Sequence, residues 1–578
     1  MLQRPGRSLL ATYLRPEWPR AALLGLLLLT GIALQLANPQ VARIFLDRAQ
    51  SGEPPERLTW IALLFLGIAL LTQVATVAET YVAENLGWRT TNALRADLTR
   101  HVLDSDSSFH AEHTPGELIE RIDGDVSAIA GFFSRFVVEV LGSAMFLVGV
   151  LLLLYREDWH VGALLTIFAL AAVLFMTRGG GFVAVRARAV REASADLSSY
   201  LEERLTGLPD LKTSGADAYA MRGLQTRLAA RFHRARSSAM AGAAFNGTVA
   251  VLFALGAGAA LALSTGLHDA GAITLGTVYL VFRYTGMLHQ PLQRLTRQMN
   301  SFQQATGGIV RVRELLATRA RVTDGAGTSL PHGPLSVELE DISFAYGVDP
   351  VLRGVSCRLA PGEVLGVLGR TGSGKTTISR LLFRMYDPIA GVVRLGGTDI
   401  RRLRLDVLRD RIGLVTQDVE LIGGTLRDNV ALFDRSVPDG RLRDVFGELG
   451  LEAWFRALPD GLDTRLGLGG RGVSAGEAQL VALARVFLKD PGLVVLDEAS
   501  SRLDLATERL LERAMTRLLH GRTGVVIAHR LTTVERADLI AILDEGRVAE
   551  LGRRDELASD PASRFAGLLR AGMAEALA

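Results

Sequence analysis

The sequence predicts a multidomain protein: an all-α transmembrane domain of six helices with long cytoplasmic extensions, followed by an α/β domain. Three observations predict it. Long apolar stretches crowd into the first half of a 578-residue chain. Hydrophobic residues reach 49% and mean hydropathy is +0.25, high for a chain with a sizeable soluble part. The second half instead alternates short β-like runs with helical segments.

Taken in order, the apolar stretches lie near Ala21–Phe45, Leu58–Thr80, Phe136–Tyr155, Val161–Met176, Ala241–Leu263 and Leu275–Leu292. A span needs about 20 such residues. Arg4, Arg7, Arg15 and Arg20 precede the first, which is longer than a cleavable signal core and reads as a membrane span. Only Arg156–His160 separates the third from the fourth, so these form a tight hairpin. Arg283 and His289 interrupt the sixth.

The connections around Arg89–Arg135 and Arg178–Arg236 are long and arginine-rich, while the others are short and carry few positive charges. The positive-inside rule therefore puts both termini and the long connections in the cytoplasm of a cell whose inner (plasma) membrane holds the chain. The net charge of +3 belongs to those loops and implies no nucleic acid. WRTTNALRADLTRHVL and RAVREASADLSSYLEERL have helical spacing, so the membrane helices continue into the cytoplasm. Near the turning points, Glu117–Val126 and Asp210–Ala216 either touch a soluble domain or simply cap helical hairpins.

Arg319–Pro334 contains TDGAGTSLPHGP and reads as a linker. The expected division is a transmembrane domain over 1–318, a linker over 319–334 and an α/β domain over 335–578. Val337–Leu339, Val364–Leu368, Ile412–Val415, Leu493–Leu496 and Val525–Ala528 are its apolar strands, consistent with a mostly parallel sheet. The single cysteine, Cys357, falls beside them and reads as packing, not as a reactive thiol.

One stretch of that domain carries chemistry. Gly369–Thr376 fits G-x-x-x-x-G-K-[ST] between an apolar strand and a helix, the P-loop of an ATPase. Gly369, Gly372 and Gly374 let the backbone close on phosphate oxygens, with Arg370, Thr371, Ser373 and Thr377 completing the cradle. Lys375 holds the outer phosphates of ATP and Thr376 ligates Mg²⁺. Lysine occurs elsewhere only at Lys212 and Lys489, so an arginine-rich chain keeps a compact ammonium here. Downstream, LVVLDE ends an apolar run in two carboxylates. Asp497 is placed to hold Mg²⁺ and Glu498 to polarise the attacking water.

With these residues the chain resembles an ATP-binding cassette (ABC) transporter, specifically a half-transporter of the exporter type. Further motifs match in order. Tyr346 in FAYG stands where the family stacks an aromatic on adenine. Gln417 in LVTQD matches the glutamine that senses Mg²⁺ and γ-phosphate. Ser500–Asp504 follows as the D-loop, and His529 in VIAHR matches the switch histidine. The family signature L-S-G-G-Q is here Val473–Glu477, VSAGE. Ser474 and Gly476 are kept, Ala475 replaces a glycine and Glu477 a glutamine. Leu468 replaces a glutamate in the segment upstream.

The resemblance implies ATP sandwiched between two such domains, each signature facing the partner's P-loop. A second half-transporter subunit is therefore required. Glu477 would add negative charge near the γ-phosphate if its carboxylate faced the ligand. With Glu498 and His529 intact, this favours a heterodimer over a homodimer. The resemblance implies export of a small amphipathic molecule, lipid or peptide, with import of siderophore-like substrates as the alternative. Arg283, mid-span, meets such a substrate, pairs with Glu79 or Glu139, or snorkels to the interface if the span is displaced. Gln35, Asn38, Gln40 and Gln73 either line the same path or bond between helices.

Overall fold

The computed structural model describes residues 9–467, 473–497, 505–528, 534 and 536–571. The chain divides into two compact units, one of Met1–Asp104 with Thr114–Thr318, the other of Ser105–His113 with Arg319–Ala578.

The first unit is all helical. Its long elements are α1 (Trp18–Gln50), α2 (Pro55–Leu103), α3 (Val126–Arg135), α4 (Gly142–Glu157), α5 (Trp159–Thr206), α6 (Asp217–Asp269), α7 (Leu275–Met287) and α8 (His289–Ala317). At 1.5 Å per residue, the 49 residues of α2 extend roughly 70 Å, more than twice the ~30 Å hydrocarbon layer. Its start is set by Pro55, which needs no N–H at the first helical position. Asp158 makes the tight hairpin between α4 and α5 by accepting from the N–H groups of His160 (2.8 Å) and Val161 (3.3 Å).

Among the described residues, five helices are long and apolar enough to cross a membrane: Thr12–Gln50, Pro55–Leu103, Glu139–Glu157, Trp159–Thr206 and Asp217–Asp269. The sixth stretch does not run unbroken to Leu292, because α7 stops at Met287. Pro291 has no N–H to offer the Met287 carbonyl, and its ring crowds that oxygen. Leu288 keeps right-handed helical dihedrals as a single turn residue between α7 and α8, which starts at His289.

Of the two turning points, the first enters the second unit earlier in the chain than Glu117–Val126. The short helix Ser107–Glu112 belongs to that unit, and Phe109 is buried there. Asp106 caps this helix, its Oδ1 accepting from Phe109 N at 3.1 Å. Its Oδ2 accepts from the backbone N–H groups of Arg321 and Val322. Burial pushes the Asp106 carboxyl up, but Ser108 and the three backbone N–H groups outweigh it and hold the pKa below its ordinary value. Glu117–Val126 stays in the first unit, where buried Asp125 takes both Nε (2.8 Å) and Nη2 of Arg311 on α8. The stretch read as a linker is also packed: Gly325 and Gly327 donate to Leu403 O (3.0 Å) and Arg402 O (2.7 Å), and Leu330 is buried.

The second unit is built on two sheets. Strands β1 (Val337–Tyr346), β2 (Asp349–Leu359), β4 (Ala390–Leu395) and β5 (Thr398–Asp399) form an antiparallel sheet in the order β2-β1-β4-β5. Strands β3 (Val364–Gly369), β6 (Ile412–Val415), β7 (Leu493–Asp497), β8 (Thr523–Ile527), β9 (Leu539–Asp544) and β10 (Arg547–Arg553) form the other, in the order β10-β9-β3-β8-β7-β6. All pairings there are parallel except β9 with β10. Its strands read as unbroken apolar runs because both faces are buried. On β3, Val364 and Leu368 join one core and Leu365 and Val367 the other, the period-two alternation of a strand. Cys357 lies on β2, where burial pushes its thiol up to about 11.

Candidate functional site

The parallel sheet gathers the predicted residues at one end. β3, β8, β7 and β6 are successive neighbours, with Val367 opposite Ile527, Ile527 opposite Asp497, and Leu496 opposite Val415. Their carboxyl ends therefore lie side by side at about 4.8 Å spacing. The P-loop leaves β3, Asp497 ends β7 and Gln417 comes two residues after β6. Glu498 and His529 follow β7 and β8 by one and two residues, and lie outside the described residues, as do Leu468 and Ser500–Asp504.

Between β3 and α9 (Lys375–Leu382) the backbone folds into a cup. Gly369, Gly372 and Gly374 have φ of 150°, 83° and 102°. At Gly374 a side chain would also run into Leu352 and the Val351 carbonyl, so only glycine fits. Ser373 N donates to Arg370 O at 3.1 Å, closing a turn that includes Thr371. The Lys375 ammonium is buried and curls back over the cup, donating to Gly369 O (2.6 Å) and Arg370 O (3.0 Å). The Ser373 hydroxyl is buried and, among the described residues, has no hydrogen-bond partner. Such an atom costs about 1–3 kcal/mol unless something satisfies it. The cup fits a phosphate: positive-φ glycines keep side chains off its backbone, the Lys375 ammonium lies beside it, and the Ser373 hydroxyl is unpaired among the described residues. Thr376 is exposed at the rim and Asp497 is almost buried, the hydroxyl and carboxylate suited to a hard cation.

Tyr346 ends β1 beside this cup. Its hydroxyl accepts from Arg380 Nη1 (2.9 Å) and lies 3.5 Å from the hydroxyl of buried Thr377. Phe344 and Tyr386 stand edge-on to its ring, at 4.8 and 5.3 Å between centroids, and fix its plane. Gln417 is exposed, and its carbonyl accepts from Gln479 Nε2 at 3.3 Å. The other lysines have structural positions. Lys212 pairs with Asp217 on the surface, and Lys489 donates to Ile412 O at 3.1 Å, with burial lowering its pKa.

Ser474 and Gly476 open α11 (Ala475–Lys489), separated from α9 by α10 (Leu426–Ala431) and other elements. Ser474 is its N-cap: the hydroxyl accepts from Glu477 N (3.2 Å), and the Glu477 carboxylate accepts from Ser474 N (2.7 Å). The other Glu477 oxygen accepts from the Trp454 indole at 3.0 Å. The Glu477 carboxylate thus folds back on its own helix start, so the condition attached to it, that it face the ligand, is not met in this chain. The S-x-x-E spacing of a capping box was the signal that could have revealed it.

In the first unit, Gln40 on α1 lies 3.4 Å from the Tyr284 hydroxyl on α7, and that hydroxyl donates to Leu36 O at 2.7 Å. The bond-between-helices alternative therefore holds for Gln40. Asn38 Oδ1 is buried without a partner. Arg283 is exposed, and among the described residues it forms no ion pair; the guanidinium acting on Glu79 is that of Arg294.

Residues 22–292 match the family model for the ABC transporter transmembrane region, and residues 352–501 the model for ABC transporter. An ATP-dependent lipid A-core flippase of Syntrophus aciditrophicus is 30% identical over 549 residues, covering 94% of this chain and 90% of its own. One of Thiobacillus denitrificans is 30% identical over 561 residues, covering 94% of both. A solved bacterial Atm1-family ABC exporter with ATP bound superimposes with a TM-score of 0.79 at 25% identity, over 96% of this chain and 98% of that one. With membrane helices continuous in one chain with a P-loop domain, the protein belongs to the ABC transporter family, as a half-transporter of exporter fold that hydrolyses ATP to drive transport across a membrane.

Proposed function

We propose that this half-transporter moves an amphipathic, lipid-like molecule from the inner leaflet of a bacterial plasma membrane, with both termini and the nucleotide-binding unit in the cytoplasm. The observation that carries the substrate class is similarity to lipid A-core flippases along almost the whole chain, membrane helices included. Exposed Arg283 on α7 is a cation suited to an anionic headgroup. No specific observation favours the import alternative.

Bound ATP with Mg²⁺ supplies the phosphoanhydride whose cleavage releases the energy. The residues divide the work around it. The loop amides from Gly369 to Thr377 and the Lys375 ammonium bind the phosphates. Thr376 and Asp497 hold Mg²⁺ together with Gln417, and Tyr346 stacks on the base. Glu498 takes a proton from the attacking water, and His529 donates to the γ-phosphate. Ser474 and Gly476 complete the site of a second subunit. The capping box turns the Glu477 charge back on its own helix and weakens the charge-based reason for a different partner, and we read the second subunit as another copy of this chain.

Reconstitution into proteoliposomes tests the reading. Purified chain is expected to translocate a fluorescent anionic lipid when ATP is added, and the lipid should stimulate hydrolysis. ATP hydrolysis indifferent to every lipid offered, with no translocation, would sink the substrate assignment.

A further inference from the structure

Glu477 is a carboxylate at a helix start that, on the proposed reading, must meet a phosphate of the partner's nucleotide. Left free, it would repel that phosphate by several-fold in affinity. The start of α11 does not leave it free. Ser474 N–H donates to one oxygen and the Trp454 indole N–H to the other. Trp454 sits on the short helix Glu452–Ala457, outside the motif. Its ring packs on Phe446, 5.9 Å between centroids, and Phe446 is fully buried and stacked on Phe455 at 4.8 Å. The indole is thereby held by the core on one side while its N–H reaches the motif on the other. The capping box occupies the N–H groups of Ser474 and Glu477. Among the described residues the N–H groups of Ala475 and Gly476, in the first turn, have no hydrogen-bond acceptor, and a helix start of this kind stabilises an anion.

We infer that Trp454 is a positioning residue of the signature: it clamps the Glu477 carboxylate backward so that the Ala475 and Gly476 amides, not the carboxylate, face the incoming phosphate. This rests on the reading that Val473–Glu477 meets nucleotide. It also assigns the glutamine-to-glutamate change a compensating partner in the same chain. A phenylalanine at 454 keeps the ring packing on Phe446 but has no N–H, and so isolates the clamp from the packing.

The test is steady-state ATPase kinetics on the full chain in lipid nanodiscs, with thermal melts as a fold check. Trp454→Phe is expected to raise KM for MgATP roughly fivefold to tenfold while kcat changes less than about twofold. Adding Glu477→Gln to that variant removes the charge and should bring KM back to within about twofold of the original. A Trp454→Phe protein with unchanged KM overturns the clamp, as does a double variant no better than the single one, since packing alone would then explain Trp454. Ser474→Asp separates the clamp from the underlying reading. Aspartate caps helices as well as serine but adds charge where the phosphate would lie. An unchanged KM for Ser474→Asp would show that the signature does not meet nucleotide, and both ideas would fall. A raised KM there beside a normal Trp454→Phe would overturn the clamp alone.

Discussion

Two loops of the second unit, both read as phosphate-binding in the proposed function, are built in opposite ways. Gly369–Thr376 follows its pattern letter for letter, holds three glycines at positive φ and, among the described residues, leaves a buried serine hydroxyl unpartnered. Val473–Glu477 departs from its pattern at three positions, yet its serine and glutamate satisfy each other and a tryptophan secures the result. The first loop has its polar groups held in readiness by backbone shape. In the second, side chains had to be drawn away before the backbone could present itself. A motif mismatch therefore need not mean a dead site when a neighbour outside the motif absorbs the changed charge.

Changes on the P-loop side should cost far more than changes on the signature side. The largest effect belongs to Glu498→Gln, which should lower ATP turnover roughly 10²–10³-fold while nucleotide binding persists. Radiolabelled ATP binding beside phosphate release checks it, and unchanged turnover would refute the role of Glu498. Gly374→Ala comes next. A methyl at φ 102° meets Leu352 and the Val351 carbonyl, so the cup must distort. ATP affinity should fall at least tenfold, about 1.4 kcal/mol. By contrast Ala475→Gly, which restores the family's letter at an exposed position, should alter KM by less than about twofold. A large gain in activity would mean the methyl does obstruct the phosphate, and the contrast would collapse.

Two smaller effects probe the frame that holds both loops. Asp106→Ala removes an N-cap and should lower the stability of the second unit by about 1 kcal/mol, read as a shift in its melt. Because the folded pKa of Asp106 lies below its unfolded value, its contribution is complete above the unfolded pKa and is lost as pH falls through the folded one. The difference between the two proteins should thus shrink only in acid. Cys357, with its thiol near 11, should resist maleimide at neutral pH until the chain is unfolded.

The sequence was most informative where a residue type answers to one backbone shape. The P-loop glycines, Lys375 and the strand end at Asp497 announce themselves, and the apolar strands β1, β3, β6, β7 and β8 were legible as short runs. The antiparallel sheet was not, because β2 and β4 are half exposed and mix charged with apolar residues. Arg319–Pro334 looked like a tether since glycine and proline suit both loose linkers and the tight contact that Gly325 and Gly327 make. The break after Met287 was written in Pro291 but hidden by the hydrophobicity around it. The Trp454–Glu477 contact could not be read at all, since 23 residues and a turn separate its partners.

Whether both loops work in one kind of chain can be measured directly. Glu498→Gln protein, purified alone and loaded with MgATP, should trap nucleotide in a dimer of identical chains, and quantifying bound ATP after gel filtration decides the matter. The account predicts one ATP retained per chain. Half that amount, or no retention without a different subunit, would contradict it.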